Sequence, residues 1–435
     1  MPSYRLPGLI FTDHWFTVPL DHAAPSGERI EIYAREVNAA EQAGADLPWL
    51  LFLQGGPGRP SPRPEVREGW LDRAVRDYRV LLLDQRGTGR SSPANRFALA
   101  RLAREAGAGP AAARAQADYL TRFRADSIVA DAELIRHQLA GGRPWSILGQ
   151  SYGGFCAVTY LSLAPEGLAE AFITGGLPGL EATAEDVYRL TYPLVRARTL
   201  NHYRRYPADA NRTRAIARYL ATHEATLPDG APLTVENFLA LGQALGMSTG
   251  SAALHYLLED ALDDDGINDH FAHRALERLS FAPGPLYAAL HEACYAQEAA
   301  TRWAAQRVRD EHPAFSAAAA LDGDDPPLFT GEMIYPWMFT ADPVLRPLAR
   351  PAEILAARDD WPRLYDSARL AANEVPVFAA VYHDDMYVPE ELSLRTAAGI
   401  ANLRTWVTSE YDHDGLRVSD GHVLDHLLAM ARGMV

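Results

Sequence analysis

The chain has 435 residues, which is enough for about two or three domains or for one large domain with an insertion. Its apolar content of 48% and charged content of 22% are ordinary for a folded protein with a large core, and they exclude disorder as the main state. The formal net charge of −15 makes nucleic acid and anionic membrane surfaces unfavourable partners.

All of the basic residues are arginine, because the sequence contains no lysine. This excludes Schiff-base enzymes, nucleotide sites that need a P-loop lysine, and Ser–Lys dyads. The two cysteines, Cys156 and Cys294, are too few for a disulfide framework or a thiolate metal site. The N-terminal segment lacks the pattern of a signal peptide, and no apolar run reaches the length of a membrane span. We therefore expect a cytoplasmic protein.

Residues 1–180 alternate between strand and helix patterns. Two strands over 8–20 and 29–37 are predicted to form a hairpin, and two continuous apolar runs follow at 49–53 and 80–83. Runs that are apolar on both faces are typical of parallel strands covered by helices on both sides. Further along, the pattern predicts a helix over 126–139, a strand over 145–148, a helix over 155–163 and a strand over 171–174.

A different pattern covers residues 181–372, where strand patterns vanish and helical spacing of Ala, Leu, Arg and Tyr prevails between breaks such as the acidic stretch 322–326. Strand and helix alternate again in 373–435, with strands over 375–382 and 403–408 and helices from about 389 and over 421–431. The chain therefore predicts an α/β fold. Residues 1–180 and 373–435 form a mostly parallel sheet covered on both faces, and residues 181–372 form an inserted helical cap.

The most specific chemical motif is the stretch from Gly149 to Gly154, which reads G-Q-S-Y-G-G. It directly follows a predicted buried strand and directly precedes a predicted helix. A nucleophilic serine at such a tight turn needs small neighbours, because the strand and the helix approach each other closely there. The motif therefore predicts Ser151 as the nucleophile.

A serine nucleophile needs hydrogen-bond donors for the oxyanion that forms when it attacks a carbonyl carbon. The glycine-rich loop Gln54–Gly58 follows the strand at 49–53, where hydrolases with a serine elbow supply such a donor. We expect the backbone amides of Gly55 or Gly56, together with that of Tyr152, to form the oxyanion hole.

The acid and the base should follow the serine in that order along the chain. Asp384 and Asp385 both follow the strand at 375–382, and His413 lies in the loop after the strand at 403–408. His422 competes with His413 but falls near the start of the last helix, away from a strand end. His383 precedes the acid and is expected to play a supporting role. The pattern favours His413 as the base and leaves both aspartates open.

Three stretches together resemble proline iminopeptidases of the α/β-hydrolase superfamily: Gln54–Gly58, Asp84–Ser91, which reads D-Q-R-G-T-G-R-S, and Gly149–Gly154. The cap length is similar to that of the longer subgroup of this family. Gln54 departs from the histidine that many relatives carry before Gly-Gly-Pro-Gly. In the family the acid precedes Met-x-x-Pro, which implies Asp385 rather than Asp384.

The resemblance implies that the substrates are peptides with an N-terminal proline, which present a secondary ammonium. Relatives bind this amine with glutamates of the cap, one of them in a Glu-x-x-Tyr setting like that of Glu332. Glu292 is the second candidate. The aromatic residues Tyr335 and Trp337 beside Glu332 would line the site.

The sequence thus predicts a serine exopeptidase that works through Ser151, Asp385 and His413 and needs no metal or organic cofactor. A carboxylesterase or amide hydrolase on the same fold is the first alternative, because the three residues would serve it equally well. A hydrolase fold used only for binding is the second. Epoxide hydrolases and dehalogenases are disfavoured because they carry aspartate in place of the serine. Assembly as a homo-oligomer is left open.

Overall fold

A nine-stranded sheet forms the centre of the computed structural model, which describes residues 3–322 and 325–435. Gly323 and Asp324, in the predicted acidic break, fall outside the described residues. The strands of this sheet and of one small hairpin are β1 (Ser3–Leu6), β2 (Leu9–Pro19), β3 (Arg29–Ala39), β4 (Trp49–Leu53), β5 (Arg79–Leu83), β6 (Trp145–Gln150), β7 (Leu168–Thr174), β8 (Leu262–Asp263), β9 (Gly266–Ile267), β10 (Val377–Tyr382) and β11 (Leu403–Thr408).

Six neighbouring strands of the sheet are parallel, in the spatial order β5, β4, β6, β7, β10 and β11. The strands β1 to β3 extend the sheet beyond β5 in antiparallel pairing. Because parallel strands end at the same edge of a sheet, the loops that follow β4, β6, β10 and β11 meet along one edge. All of the predicted reacting groups lie in these loops.

Nineteen α-helices lie in the described part of the chain, around the sheet and in the segment between β7 and β10. They are α1 (Gly69–Ala74), α2 (Arg96–Ala106), α3 (Pro110–Leu120), α4 (Ala125–Leu139), α5 (Tyr152–Leu163), α6 (Ala184–Arg205), α7 (Asp209–Thr222), α8 (Val235–Leu239), α9 (Gly250–Glu259), α10 (Asp269–Leu279), α11 (Pro285–Leu290), α12 (Ala304–Asp310), α13 (Ala317–Leu321), α14 (Met338–Ala341), α15 (Ala349–Ala357), α16 (Ser367–Ala371), α17 (Glu390–Ala398), α18 (Gly415–Val418) and α19 (His422–Ala431).

The strands β4 and β5 are buried on both faces, as their continuous apolar runs predict, and so are β6 and β10, whereas β11 at the edge of the sheet is largely accessible. In β4, Leu51 belongs to an apolar cluster that includes α3, α4 and α5, whereas its neighbours Leu50 and Phe52 belong to a cluster that includes α1 and α19. Side chains of a strand point alternately to opposite faces, so this division places helices on both sides of the sheet. The predicted α/β class with a mostly parallel, doubly covered sheet is confirmed.

Residues between β7 and β10 add no strand to the nine-stranded sheet in the described part of the chain. They form α6 to α16 and pack on the sheet domain through one continuous apolar cluster. One feature differs from the sequence-based expectation, because β8 and β9 form a hairpin around the acidic turn at Asp263–Gly266. Strands of two residues are too short to leave an alternating pattern. The boundaries at residues 181 and 372 stay predictions.

The predicted strands and helices of the sheet domain are confirmed with shifts of a few residues at their ends. The sequence patterns do not predict the strand β1 or the helices α1 to α3 and α18. No helix among residues 3–322 and 325–435 is both long enough and apolar enough to cross a membrane.

Candidate active site

The nucleophile elbow is formed where β6 ends and α5 begins. Ser151 lies between them with φ +55° and ψ −124°, a backbone conformation that residues with a side chain rarely adopt. The Ser151 amide donates a hydrogen bond to the Thr174 carbonyl at 3.0 Å, which fixes the turn against the end of β7. A Cβ atom at Gly153 would overlap the Leu53 carbonyl, so α5 can start this close to β4 only with glycine there. This geometry is that of a strained turn that presents a serine side chain.

The loop after β4 lies directly against the elbow. A Cβ atom at Gly55 would meet the Gln150 Oε1 atom at 2.7 Å and the Ser151 Cβ atom at 3.0 Å. The backbone amides of Gly55, Gly56 and Tyr152 donate no hydrogen bond to any acceptor in the part of the chain that the structure describes. They are therefore available to a negatively charged oxygen, and that of Tyr152 lies at the positive N-terminal end of α5.

A buried histidine–aspartate pair lies at the ends of β10 and β11. The His413 Nδ1 and Asp385 Oδ2 atoms are 2.6 Å apart, and both side chains are almost fully buried. The other carboxylate oxygen of Asp385 accepts the backbone amides of Tyr387 at 2.8 Å and Val388 at 3.0 Å. With Nδ1 donating to Asp385, the Nε2 atom of His413 is left as the acceptor.

The electrostatic surroundings of His413 favour its protonated form. Burial lowers the pKa of His413, but the Asp385 carboxylate acts in the opposite direction and outweighs it. Glu332 adds a smaller effect of the same sign, and the net pKa is raised above the ordinary value of 6.5. A base with this environment can hold a proton taken from a hydroxyl group during a reaction.

The elbow and the histidine–aspartate pair meet at the end of β7. A Cβ atom at Gly175 would lie 3.2 Å from the His413 Nδ1 atom, and the preceding residue, Thr174, accepts the Ser151 amide. The Ser151 hydroxyl makes no hydrogen bond to His413 among the described residues. The structure thus brings the serine and the pair to one place at the sheet edge without joining them directly.

The competing residues have other partners. Asp384 is exposed, and its carbonyl accepts the Arg198 guanidinium. His422 is exposed and lies 3.0 Å from the Tyr411 hydroxyl. His383 is exposed and lies 2.6 Å from a Glu390 carboxylate oxygen. None of these three contacts involves a residue of the nucleophile elbow. The geometry therefore favours Asp385 as the acid and His413 as the base.

The stretch Asp84–Ser91, which also belongs to the resemblance, supports the site from outside. The Gln85 side chain donates to the Gln54 carbonyl at 3.0 Å and so ties this stretch to the loop after β4. The buried Arg86 forms two hydrogen bonds to Asp131, at 2.7 and 2.6 Å. We infer that the motif holds the loop that carries Gly55 and Gly56.

Of the two candidate cap glutamates, Glu332 lies near enough to His413 for its charge to raise the pKa of that residue. Its Oε1 atom accepts the Tyr287 hydroxyl at 2.6 Å, and the same hydroxyl accepts the Gln243 side chain at 2.9 Å. Glu332 is partly exposed, and its charge acts on His413. A carboxylate in this position can bind a cationic group beside the elbow.

Glu292 lies in a different setting. It is buried, and its two carboxylate oxygens accept the backbone amides of Ala304 at 3.1 Å and Ala305 at 2.9 Å. Both amides belong to the first turn of α12, where backbone donors have no acceptor within the helix, and the side chain of the residue before the helix does not cap them. Burial raises the pKa of Glu292. These contacts favour a role in capping α12, and they do not support Glu292 as a substrate ligand.

The two aromatic candidates also differ. Tyr335 is fully buried, with its hydroxyl 2.9 Å from that of Tyr192, so it packs inside the cap and is not available to a substrate. Trp337 stacks on Tyr335 at 5.7 Å between ring centroids and is partly exposed in a cap pocket that Tyr287 also lines. Only Trp337 of the two can therefore contact a ligand. No cluster of three or more His, Cys, Asp or Glu side chains among the described residues could hold a metal ion.

Comparisons with known proteins identify the family of the chain. The family model of the alpha/beta hydrolase fold matches residues 48–265. A proline iminopeptidase of Aeromonas sobria is 46% identical over 433 residues, which cover 99% of this chain and 98% of the relative. The chain belongs to the proline iminopeptidase family. A second member, from Aspergillus aculeatus, is 36% identical over 98% of this chain and 95% of its own length.

Among solved structures, the proline iminopeptidase-related protein of Thermus thermophilus aligns with 97% of this chain and 98% of its own, at 17% identity and a TM-score of 0.39. This likeness is too low to inform the site. Membership of the proline iminopeptidase family makes the chain an enzyme of the α/β-hydrolase fold and agrees with the predicted resemblance.

Two residues that surround Glu332 are not predicted from the sequence. Tyr287 and Gln243 hold Glu332 in place, but Tyr287 sits in the apolar pattern of α11 and Gln243 in a cap turn. Nothing in their neighbours along the chain distinguishes them from packing residues. Only the fold, which brings Tyr287 to Glu332, reveals them.

Proposed function

We propose that the protein releases N-terminal proline from peptides by serine catalysis, with Ser151 as nucleophile, His413 as base and Asp385 as the acid that orients it. The observation that carries this proposal is the buried His413–Asp385 pair beside a strained serine turn at one sheet edge. The family membership supports the reaction class.

In this mechanism His413 takes the proton from the Ser151 hydroxyl, and the serine oxygen attacks the carbonyl carbon of the N-terminal proline. Asp385 keeps the Nδ1 proton in place and stabilises the imidazolium that forms. The negative oxygen of the tetrahedral intermediate binds the backbone amides of Tyr152 and of Gly55 or Gly56. His413 then protonates the leaving amine, which gives a prolyl-enzyme intermediate. Water activated by His413 releases proline and restores Ser151.

Specificity for an N-terminal proline requires a group that recognises its secondary ammonium. Glu332 fits this role because its partly exposed carboxylate is held by Tyr287 and lies close enough to His413 to affect its protonation. The ammonium would sit between this carboxylate and the attacked carbonyl, so the substrate chain would end at the cap. An acylated proline would lose the charge and add bulk there.

The test measures kcat/KM for a prolyl arylamide, an N-acetyl-prolyl arylamide and a small neutral aryl ester. We expect the wild-type protein to prefer the free prolyl arylamide strongly. A charge-assisted hydrogen bond contributes about 1.5–3 kcal/mol, so Glu332→Gln should lower kcat/KM for the prolyl arylamide by about ten- to a hundred-fold. At a pH above the raised pKa of His413, the same change should leave turnover of the ester almost unaltered.

Two controls complete the test. Ser151→Ala should be folded, should lose activity on all three substrates and should not be labelled by a fluorophosphonate. Efficient ester turnover with none on prolyl arylamide would instead show a carboxylesterase. Failure of well-folded wild-type protein to react with the fluorophosphonate would show a hydrolase fold used for binding. Equal losses on ester and prolyl substrates in Glu332→Gln would remove Glu332 from substrate recognition.

A further inference from the structure

A buried arginine lies where the sheet domain meets the cap. Arg124 precedes the first residue of α4 and is only 2% exposed. Its Nη2 atom donates to the carbonyls of Ala296 at 2.9 Å and Pro362 at 3.3 Å, which belong to two separate cap segments. Its guanidinium carbon lies 4.6 Å from the centre of the Trp361 ring. The side chain thus occupies a closed space at the junction.

The positive charge of Arg124 has no negative partner nearby. No carboxylate lies within 4.0 Å of it in the described ranges, and its Nε and Nη1 atoms have no hydrogen-bond acceptor there. Asp126 acts on it only at longer range. Burial lowers the pKa of Arg124, but a guanidinium keeps its proton in proteins. A buried charge without a partner destabilises the folded state, and a negatively charged group beside Arg124 would reduce this destabilisation.

The polar atoms around Arg124 are donors as well. The Trp361 Nε1 and Tyr365 hydroxyl groups are buried and have no hydrogen-bond partner within the described part of the chain. Tyr365 lies close enough for the charge of Arg124 to act on its phenol. A second guanidinium, that of Arg358, lies 5.2 Å from the centre of the Trp361 ring and pairs with the exposed Asp360. Although the Arg124 Nη2 atom is bonded to two carbonyls, its Nε and Nη1 atoms, the Trp361 Nε1 atom and the Tyr365 hydroxyl stay without an acceptor in the described part of the chain.

We propose that Arg124, Trp361 and Tyr365 form a binding site for one small monovalent anion, either chloride or a small carboxylate. Guanidinium, indole and phenol groups can all donate to such an anion, and its charge would compensate that of Arg124. Because Arg124 also bonds to two cap segments, the bound anion would stabilise the junction between the cap and the sheet domain. This site is independent of the proposed peptidase activity.

The test follows thermal unfolding of the full chain in sodium chloride, in sodium acetate and in sodium gluconate, whose anion is bulky, at one ionic strength. An anion that binds only the folded state raises Tm, and at about a hundred times its Kd the shift should be about 1–3 °C. A shift with chloride identifies a free halide site, and one with acetate alone identifies a carboxylate site. Bromide soaked into crystals should give an anomalous peak at Arg124.

Variants locate the effect. Arg124→Gln should abolish the anion-dependent shift, Tyr365→Phe should reduce it, and Arg143→Gln, at an exposed arginine, should keep it. If Arg124→Gln does not fold, Tyr365→Phe and the bromide position decide the question. The proposal is overturned if neither chloride nor acetate raises Tm, if water alone occupies the space beside Arg124, or if the shift is unchanged in Tyr365→Phe or persists in Arg124→Gln.

Discussion

The loops at the sheet edge and the helices of the cap contribute to the site in different ways. At the sheet edge, each of the three proposed catalytic residues follows the end of a parallel strand: Ser151 follows β6, Asp385 follows β10 and His413 follows β11. The order of the strands therefore brings them to the same edge. In the cap, two glutamates of similar sequence setting diverge. Glu332 accepts a hydrogen bond from Tyr287 and its charge acts on His413, whereas Glu292 caps a helix.

This difference shows that the positions of site residues are easier to predict from the sequence in a parallel sheet than in a helical cap. In a parallel sheet the order of the strands determines which loops are neighbours at the sheet edge. A few residues at the strand ends are therefore enough to predict which side chains lie close together. A helical insertion has no such rule, because the direction of each side chain depends on how the helices pack. Cap residues must therefore be judged by their contacts.

The largest effect is expected from removing the base, and this tests the sheet half of the comparison. His413→Ala should lower kcat by a factor on the order of 10⁴ to 10⁶, because the serine loses the group that accepts its proton. His422→Ala, at an exposed histidine paired with Tyr411, should change kcat by less than about two-fold. Steady-state kinetics on a prolyl arylamide decides. Similar losses in both variants would mean that strand order does not locate the base.

The next effect concerns the acid. Asp385→Asn keeps the shape of the side chain but stabilises neither the correct tautomer of His413 nor its charged form. We expect kcat to fall on the order of 10²- to 10⁴-fold. Asp384→Asn should leave kcat nearly unchanged, since that side chain is exposed and only its carbonyl is bonded. A larger loss at Asp384 in the same assay would reverse the assignment.

Much of the sheet domain follows from its sequence because the strands β4, β5 and β6 are apolar on both faces and end in glycine-rich loops. β1 does not, because its four residues are largely exposed and carry no core pattern. In α2 only Leu99 is buried, so that helix leaves little apolar periodicity to detect. The contacts of Glu332 with Tyr287 and of Glu292 with Ala304 join positions that only tertiary packing brings together. No local pattern reports such contacts.

A smaller effect links the two regions through charge. Burial lowers the pKa of His413, Asp385 and Glu332 raise it, and the net value lies above 6.5. Because the base must be neutral, kcat/KM should fall as the pH drops through that raised pKa. Glu332→Gln removes one of the charges that raise the pKa of His413, so the acid limb of the pH profile of kcat/KM should move to lower pH. The measurement uses an aryl ester without an ammonium group. An unchanged limb would place Glu332 too far from His413 to affect it.

The smallest effect on activity is expected at the other cap glutamate, where the change should appear in stability. Glu292→Ala removes both acceptors of the α12 amides and leaves Ala304 and Ala305 with buried, unpaired donors. An unsatisfied buried donor or a lost helix cap costs about 1–3 kcal/mol, so the free energy of unfolding in urea should drop by about this amount. At temperatures where the variant is folded, kcat/KM for the prolyl arylamide should stay within about three-fold of the wild-type value.

The control for this prediction is Glu277→Ala, at an exposed glutamate of α10, which should alter neither the free energy of unfolding nor kcat/KM. A large loss of kcat/KM with unaltered stability would mean that Glu292 binds the substrate amine, and the cap would then supply two carboxylates instead of one.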